Sequence, residues 1–204
     1  MSAHSIGRPE TDTDPGPYGD VRDVLAALPH HRGGEYWRTD MFPVKHAYLA
    51  EHAPDARSVF EFGALVGYFL VTALDACPGI ERVAWVDSEL HTPGSNLLCE
   101  ANVRAALADR LGVRLNAWST SVLSYLAASH WRKRYDVVQV DGEHSLHACL
   151  VDLSLALAMR PKLILVDDTD AIAEVREAVE LFAGYVGLEP EYHATVNGFA
   201  VLRP

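Results

Sequence analysis

From Ser58 onward the chain alternates between short apolar runs and longer stretches whose apolar residues recur every three or four positions. The runs fall at Ser58–Phe62, Arg82–Asp87, Val113–Asn116, Asp136–Val140 and Leu163–Asp167. Between and after them, the spacing predicts helices near 66–76, 95–110, 121–130, 145–159 and 171–183. Leu146, Cys149, Leu150, Leu153 and Leu157 share one helical face, and Ile172, Val175, Val179 and Phe182 repeat the pattern. Strands this continuously apolar belong to a parallel sheet covered on both faces, and the alternation predicts βαβ units. Two last strands, Glu191–Thr195 and Gly198–Leu202, are separated only by Val196-Asn197, and a link that tight requires an antiparallel pair. The expected fold is therefore α/β, a seven-stranded, mostly parallel sheet with a C-terminal antiparallel hairpin and helices on both faces.

The chain before Ser58 reads differently. Residues 1–19 are polar and rich in Pro, Asp, Thr and Gly, the composition of a disordered lead-in. Val21, Val24, Leu25 and Leu28 recur at helical spacing and predict a short amphipathic helix, which Pro29-His-His-Arg-Gly-Gly34 breaks. A second helix is expected from about Pro43 to His52, with Pro43 in its first turn. Its 204 residues suffice for one substantial core and are too few for two ordinary domains. One domain is thus expected over 20–204, with a helical cap at 20–56 and the core at 57–204.

Composition narrows the partners. With 28 acidic against 17 basic side chains, the formal charge is −11, which repels phosphate backbones and anionic membranes. The expected partner is a small molecule, neutral or held through a cation; a homo-oligomer stays open. Cys77, Cys99 and Cys149 form no C-x-x-C pair and are odd in number, so a reducing cytoplasm is the expected compartment. The first twenty residues lack the apolar run of a secretory signal. The longest apolar stretch, Leu65–Leu74, is about half a membrane span.

Candidate chemistry collects where the strands end. In open α/β sheets, ligands bind beyond the carboxyl ends of the strands, where strand order reverses. The first strand runs into Phe60-Glu-Phe-Gly-Ala-Leu-Val-Gly-Tyr68. Gly63 lets the backbone turn sharply beside a ligand, and Gly67 lets the next helix pack close. The spacing is G-x-x-x-G, without the middle glycine that a dinucleotide pyrophosphate needs, which disfavours NAD. Asp87 ends the second strand, where an acid can accept both hydroxyls of a ribose; Ser88 follows it in the same candidate site. After the third strand, Ser119 could reach an adenine and Trp118 could cover its face, although Trp118 serves equally well as a core aromatic.

The fourth strand runs into Val140-Asp-Gly-Glu-His-Ser145 and the fifth into Val166-Asp-Asp-Thr-Asp170. Right-handed crossovers place these strands side by side, so Asp141, Asp167 and Asp168 converge at one edge. Carboxylates that close repel one another unless a cation sits between them, and oxygen ligands select a hard ion such as Mg²⁺. The competing reading makes them caps of the helices that follow, a role open to Asp168, Thr169 and Asp170.

Glu61-Phe-Gly-Ala-Leu-Val-Gly-Tyr68 resembles the first motif, E-L-G-A-x-x-G-Y, of the catechol O-methyltransferase group. Five parallel strands closed by an antiparallel hairpin are likewise similar to the Rossmann-like sheet of class I methyltransferases. The resemblance spans about residues 40–204 and implies S-adenosylmethionine (SAM) as cofactor. Glu61 and Gly63 would line its pocket, with Asp87 at the ribose, Ser119 near the adenine and Asp141 beside the cofactor. In metal-dependent O-methyltransferases of the catechol and antibiotic-sugar types, an acid ending the fourth strand and a pair ending the fifth hold the ion. Asp141, Asp167 and Asp168 match those places. Both types carry a basic residue three positions after the first acid, which makes His144 the implied general base. With an ordinary pKa near 6.5, His144 suits removal of a hydroxyl proton. Tyr36, Trp37, Met41 and Phe42 are candidates for an apolar lid, or for plain packing of the N-terminal helices on the core.

One departure bears on the metal set. Family members usually have a Pro-Gly-Gly turn before the fifth strand, and this chain has Arg160-Pro-Lys-Leu163, which leaves the register of Asp167 and Asp168 open by one. The rival readings are a metal-independent SAM methyltransferase, a non-catalytic SAM-fold binding protein and, less favoured, an NAD-dependent oxidoreductase.

Overall fold

The computed structural model describes residues 21–28, 40–88, 93–107, 114–119 (backbone only) and 134–204. The lead-in, Tyr36, Trp37 and the helix expected near 121–130 lie outside the described residues. The strands are β1 (Ser58–Phe62), β2 (Arg82–Asp87), β3 (Arg114–Ser119), β4 (Val137–Val140), β5 (Leu163–Asp167), β6 (Glu191–His193) and β7 (Phe199–Leu202). The helices are α1 (Val21–Ala26), α2 (Met41–His52), α3 (Tyr68–Ala76), α4 (Ser95–Ala106), α5 (Leu146–Ala158) and α6 (Ala173–Val186).

These strands form one sheet in the order β3-β2-β1-β4-β5-β7-β6. Pairings from β3 through β5 are parallel, while β7 runs antiparallel to both β5 and the three-residue edge strand β6. Strand order reverses between β1 and β4, so the switch point lies beside the Gly63 turn.

Alternation along the strands divides the core into two layers. Val59, Val83, Trp85, Val137, Leu163, Leu165, Phe199 and Val201 face the layer that contains residues of α1–α4. Phe60, Phe62, Val138, Val140, Ile164 and Val166 face the layer of α5 and α6. The first layer is interrupted by Glu61 and Gln139, register partners on β1 and β4 that are both buried. Among the described residues, no helix is long and apolar enough to cross a membrane. No disulfide joins the three buried cysteines.

Two boundaries differ from expectation. Strand β3 continues to Ser119, which pairs with Asp87, so Trp118 and Ser119 belong to the strand and not to a following loop. Pairing with the whole of β2 carries it past the short apolar run. The β6–β7 link is also longer than Val196-Asn197, because the strands stop at His193 and resume at Phe199. Its residues are drawn away from the ladder: the Asn197 carbonyl accepts the Asp170 and Ala171 N–H groups, and Gly198 has φ +70° against Asp170.

Candidate active site

The glycine turn after β1 is packed from both sides. Gly63 has φ +78°, and a β-carbon there would lie 1.8 Å from the Asp141 carbonyl oxygen. Only glycine fits so close to the neighbouring strand end. Gly67, at φ +80°, begins α3, and a β-carbon on it would lie 2.8 Å from Cys99 Sγ, so the helix it makes room for is α4 and not the following helix α3. Between these glycines, a partly open pocket is lined by Phe42, Glu61, Gly63, Tyr68, Gln139 and Asp141 among others. Phe42 meets Tyr68 edge-on at 5.6 Å in that wall, whereas Met41 is buried in the core.

Asp87 stands at the other end of the turn, 8% exposed and already bonded. The Leu65 N–H donates to its Oδ2 at 2.7 Å and the Ser95 hydroxyl to its Oδ1 at 2.8 Å. Its first task is therefore to brace the glycine turn against α4. Leu65 itself has φ +48°, a conformation this bond helps to hold. Ser88 follows Asp87 at the exposed end of β2. The backbones of Trp118 and Ser119 reach the same edge; their side chains lie outside the description.

At the bottom of the cavity, Glu61 accepts the Gln139 amide on Oε1 at 3.2 Å, and its buried Oε2 has no hydrogen-bond partner. Burial, with Asp141 close by, pushes Glu61 well above the ordinary carboxylate range, and Lys45 only partly offsets this. Gln139 Oε1 in turn accepts from Lys45 Nζ at 3.2 Å. Lys45 is 0% exposed and donates to Asp167 Oδ2 at 2.6 Å. This lysine and its amide partner were not singled out in the sequence. Their signal was present: a lone Gln in VVQV and a Lys in a largely apolar helix, each needing a partner if buried.

The three acids do not gather as one set. Asp141, His144 and Asp168 offer ligand atoms that all lie within 4.8 Å of one another, and Asp167 is not in that group. His144 Nε2 lies 3.2 Å from Asp168 Oδ2 and 3.6 Å from Asp141 Oδ1, without the alignment of a hydrogen bond. Asp168 has φ +61°, which turns its side chain away from that of Asp167, and Asn197 Nδ2 donates to its Oδ1 at 2.7 Å. Asn197 is a further residue that the sequence did not single out. Burial raises both Asp141 and Asp168, with Asp167 adding repulsion, and the nearby His144 pulls each partly back. The Asp141 side chain raises His144 against the opposing effect of burial. His147, one turn on, is exposed.

None of these acids caps a helix through its side chain. Ser145 is the N-cap of α5, accepting the Ala148 N–H at 3.4 Å, and α6 starts at Ile172 with no side-chain cap bond. The donor set fits a divalent cation: two carboxylate oxygens, one imidazole nitrogen, and mutual repulsion that a positive ion relieves.

No family model and no curated protein matches this sequence. Solved structures do. The O-methyltransferase from Bacillus cereus in complex with S-adenosylhomocysteine superposes with TM-score 0.64 at 18% identity, over 90% of each chain. The O-methyltransferase TomG from Streptomyces achromogenes, involved in tomaymycin synthesis and solved with SAM, gives 0.55 at 17% identity, over 80% of this chain and 79% of its own. The chain has the class I methyltransferase fold. In that fold, the Gly63 cavity and the Asp141 edge lie side by side at the switch point of the sheet.

Proposed function

We propose that this protein is a SAM-dependent O-methyltransferase acting on a hydroxyl of a small molecule, with a divalent cation such as Mg²⁺ at Asp141 and Asp168. One observation carries the reading. Asp141 lines the cavity behind the glycine turn and also belongs to the cluster with His144 and Asp168, so a cofactor and a substrate oxygen would meet there.

In this reading the methionine end of SAM lies in the Gly63 cavity. The cationic groups of SAM favour the ionised forms of Glu61 and Asp141, whose oxygens, Glu61 Oε2 among them, then accept from its ammonium. Asp87, at the carboxyl end of β2, accepts the ribose hydroxyls. Phe42 and Tyr68 keep water from the cavity wall. A divalent cation, held by Asp141 and Asp168, would lower the pKa of a substrate hydroxyl. His144 takes the hydroxyl proton on Nε2, the atom that faces the two carboxylates and has no hydrogen-bond partner. The substrate oxygen then attacks the SAM methyl carbon as the carbon–sulfur bond breaks, and S-adenosylhomocysteine leaves. Alignment of the two reactants is worth ~7–11 kcal/mol of barrier in such reactions.

The position of His144 within the cluster favours a second reading, in which Nε2 is itself a ligand to the cation. His144→Ala separates the two. As a base alone, His144 contributes ~10²–10⁴-fold to kcat and nothing to cation affinity. As a ligand, its loss weakens cation binding as well. The test is methyl transfer to a panel of hydroxylated compounds, with EDTA and with Mg²⁺ restored. Loss on EDTA and recovery with Mg²⁺ support the cation. Turnover that survives EDTA and needs His144 points to the metal-independent enzyme. SAM binding without any methylated product points to a binding protein.

A further inference from the structure

We propose that Lys45 is a positioning residue that divides the carboxylates of this site, binding Asp167 so that the cation is held by Asp141 and Asp168 without it. The inference rests on the cation reading above and accounts for the exclusion of Asp167 from it.

The two consecutive acids are sent in different directions by the backbone. Asp167 is the last residue of β5 and shares the face of Leu163 and Leu165, the side covered by α2. Asp168 leaves the strand at φ +61°, and its carboxylate turns to His144 and Asn197. On the α2 side, Asp167 meets Lys45 at 2.6 Å, with the two side chains 3% and 0% exposed.

The ammonium is enclosed as a permanent part of the structure. The rings of Phe42, Phe69 and Phe199 have centroids 6.0, 5.7 and 5.6 Å from Nζ, and Gln139 supplies a second oxygen at 3.2 Å. A buried ammonium and its carboxylate partner do not separate readily once water is excluded. Asp167 Oδ2 is thereby committed. Its Oδ1 is buried without a hydrogen-bond partner, and Asp167 contributes no atom to the cluster of Asp141, His144 and Asp168. Lys45 also sets the Gln139 amide, oxygen toward itself and nitrogen toward Glu61, which leaves Glu61 Oε2 for the cavity.

The test is Mn²⁺ binding, followed by electron paramagnetic resonance on the full chain. Asp168→Asn should weaken binding at least tenfold relative to wild type. The double variant Lys45→Met with Asp167→Asn removes both charges together, so it avoids a buried ion without its partner. It should bind Mn²⁺ within about threefold of wild type. Lys45→Met alone releases the Asp167 carboxylate toward the ion and should tighten binding about tenfold, whereas a merely structural lysine would leave affinity unchanged or lower. Should that single variant fail to fold, the double variant decides alone. Loss of Mn²⁺ binding in the double variant makes Asp167 a ligand and overturns the proposal, as does a folded Lys45→Met that binds no more tightly than wild type. If wild type binds no Mn²⁺, the cation reading itself falls and takes the proposal with it.

Discussion

Gly63 rests on the Asp141 carbonyl so closely that a β-carbon at Gly63 would lie 1.8 Å from that oxygen. The contact ties the cofactor turn to the strand end that carries the candidate chemistry. Gly63→Ala meets backbone, which cannot move aside like a flexible side chain, and also needs a positive φ. It should cost at least about 1–3 kcal/mol of stability and abolish detectable SAM binding. Thermal melting and calorimetry check both effects. An alanine variant that binds SAM like wild type would separate the turn from the site.

Asp87 is braced before any ligand arrives, by the Leu65 amide and the Ser95 hydroxyl. Asp87→Ala should therefore lower stability by about 1–3 kcal/mol, because it leaves buried donors unsatisfied, and weaken SAM at least about tenfold. Urea unfolding and SAM titration on the same preparation measure the two effects together. A variant with unchanged SAM affinity moves the ribose elsewhere.

Much of the architecture was legible because it is local. β1, β2 and β5 match their apolar runs, each bounded by turn residues or an acid, and the pattern after 145 marks α5 and α6 within a few residues. The partners of the acids were not legible in the same way. Asp167 and Asp168 are adjacent in sequence, and only strand alternation plus the positive φ of Asp168 separates their side chains. Lys45 reaches Asp167 across 122 positions, a pairing that requires the docking of α2 on the sheet. Asn197 became visible only once the β6–β7 link was seen to fold back over Asp168 and Asp170.

Asn197 orients one oxygen of Asp168 and leaves the other facing His144. Asn197→Ala should therefore weaken Mn²⁺ by about 10–100-fold, as loss of such supporting bonds generally does. Unchanged Mn²⁺ affinity in the folded variant would remove Asn197 from the site.

Asp152, on α5 under the Gly142 turn, has its pKa pushed up to about 7 by burial, with Glu143 adding repulsion. An acid with a raised folded-state pKa favours folding while protonated. Stability is then lost as pH rises from the unfolded value, about 3.9, through about 7. Asp152→Asn should be more stable than wild type by about 1–3 kcal/mol above pH ~7, with the difference fading toward pH ~4. Urea midpoints across that range test it. A gap independent of pH would contradict the assignment.

The central claim is that SAM occupies the Gly63 cavity with Asp141 as a shared wall. Calorimetric titration of SAM into wild type and Asp141→Asn, with NAD⁺ as the comparison ligand, tests it most directly. The account predicts one SAM per chain, displaced by S-adenosylhomocysteine and not by NAD⁺, and at least about tenfold weaker binding in the variant, since a charged acceptor is lost. No binding of SAM to wild type, or equal affinity in Asp141→Asn, would contradict it.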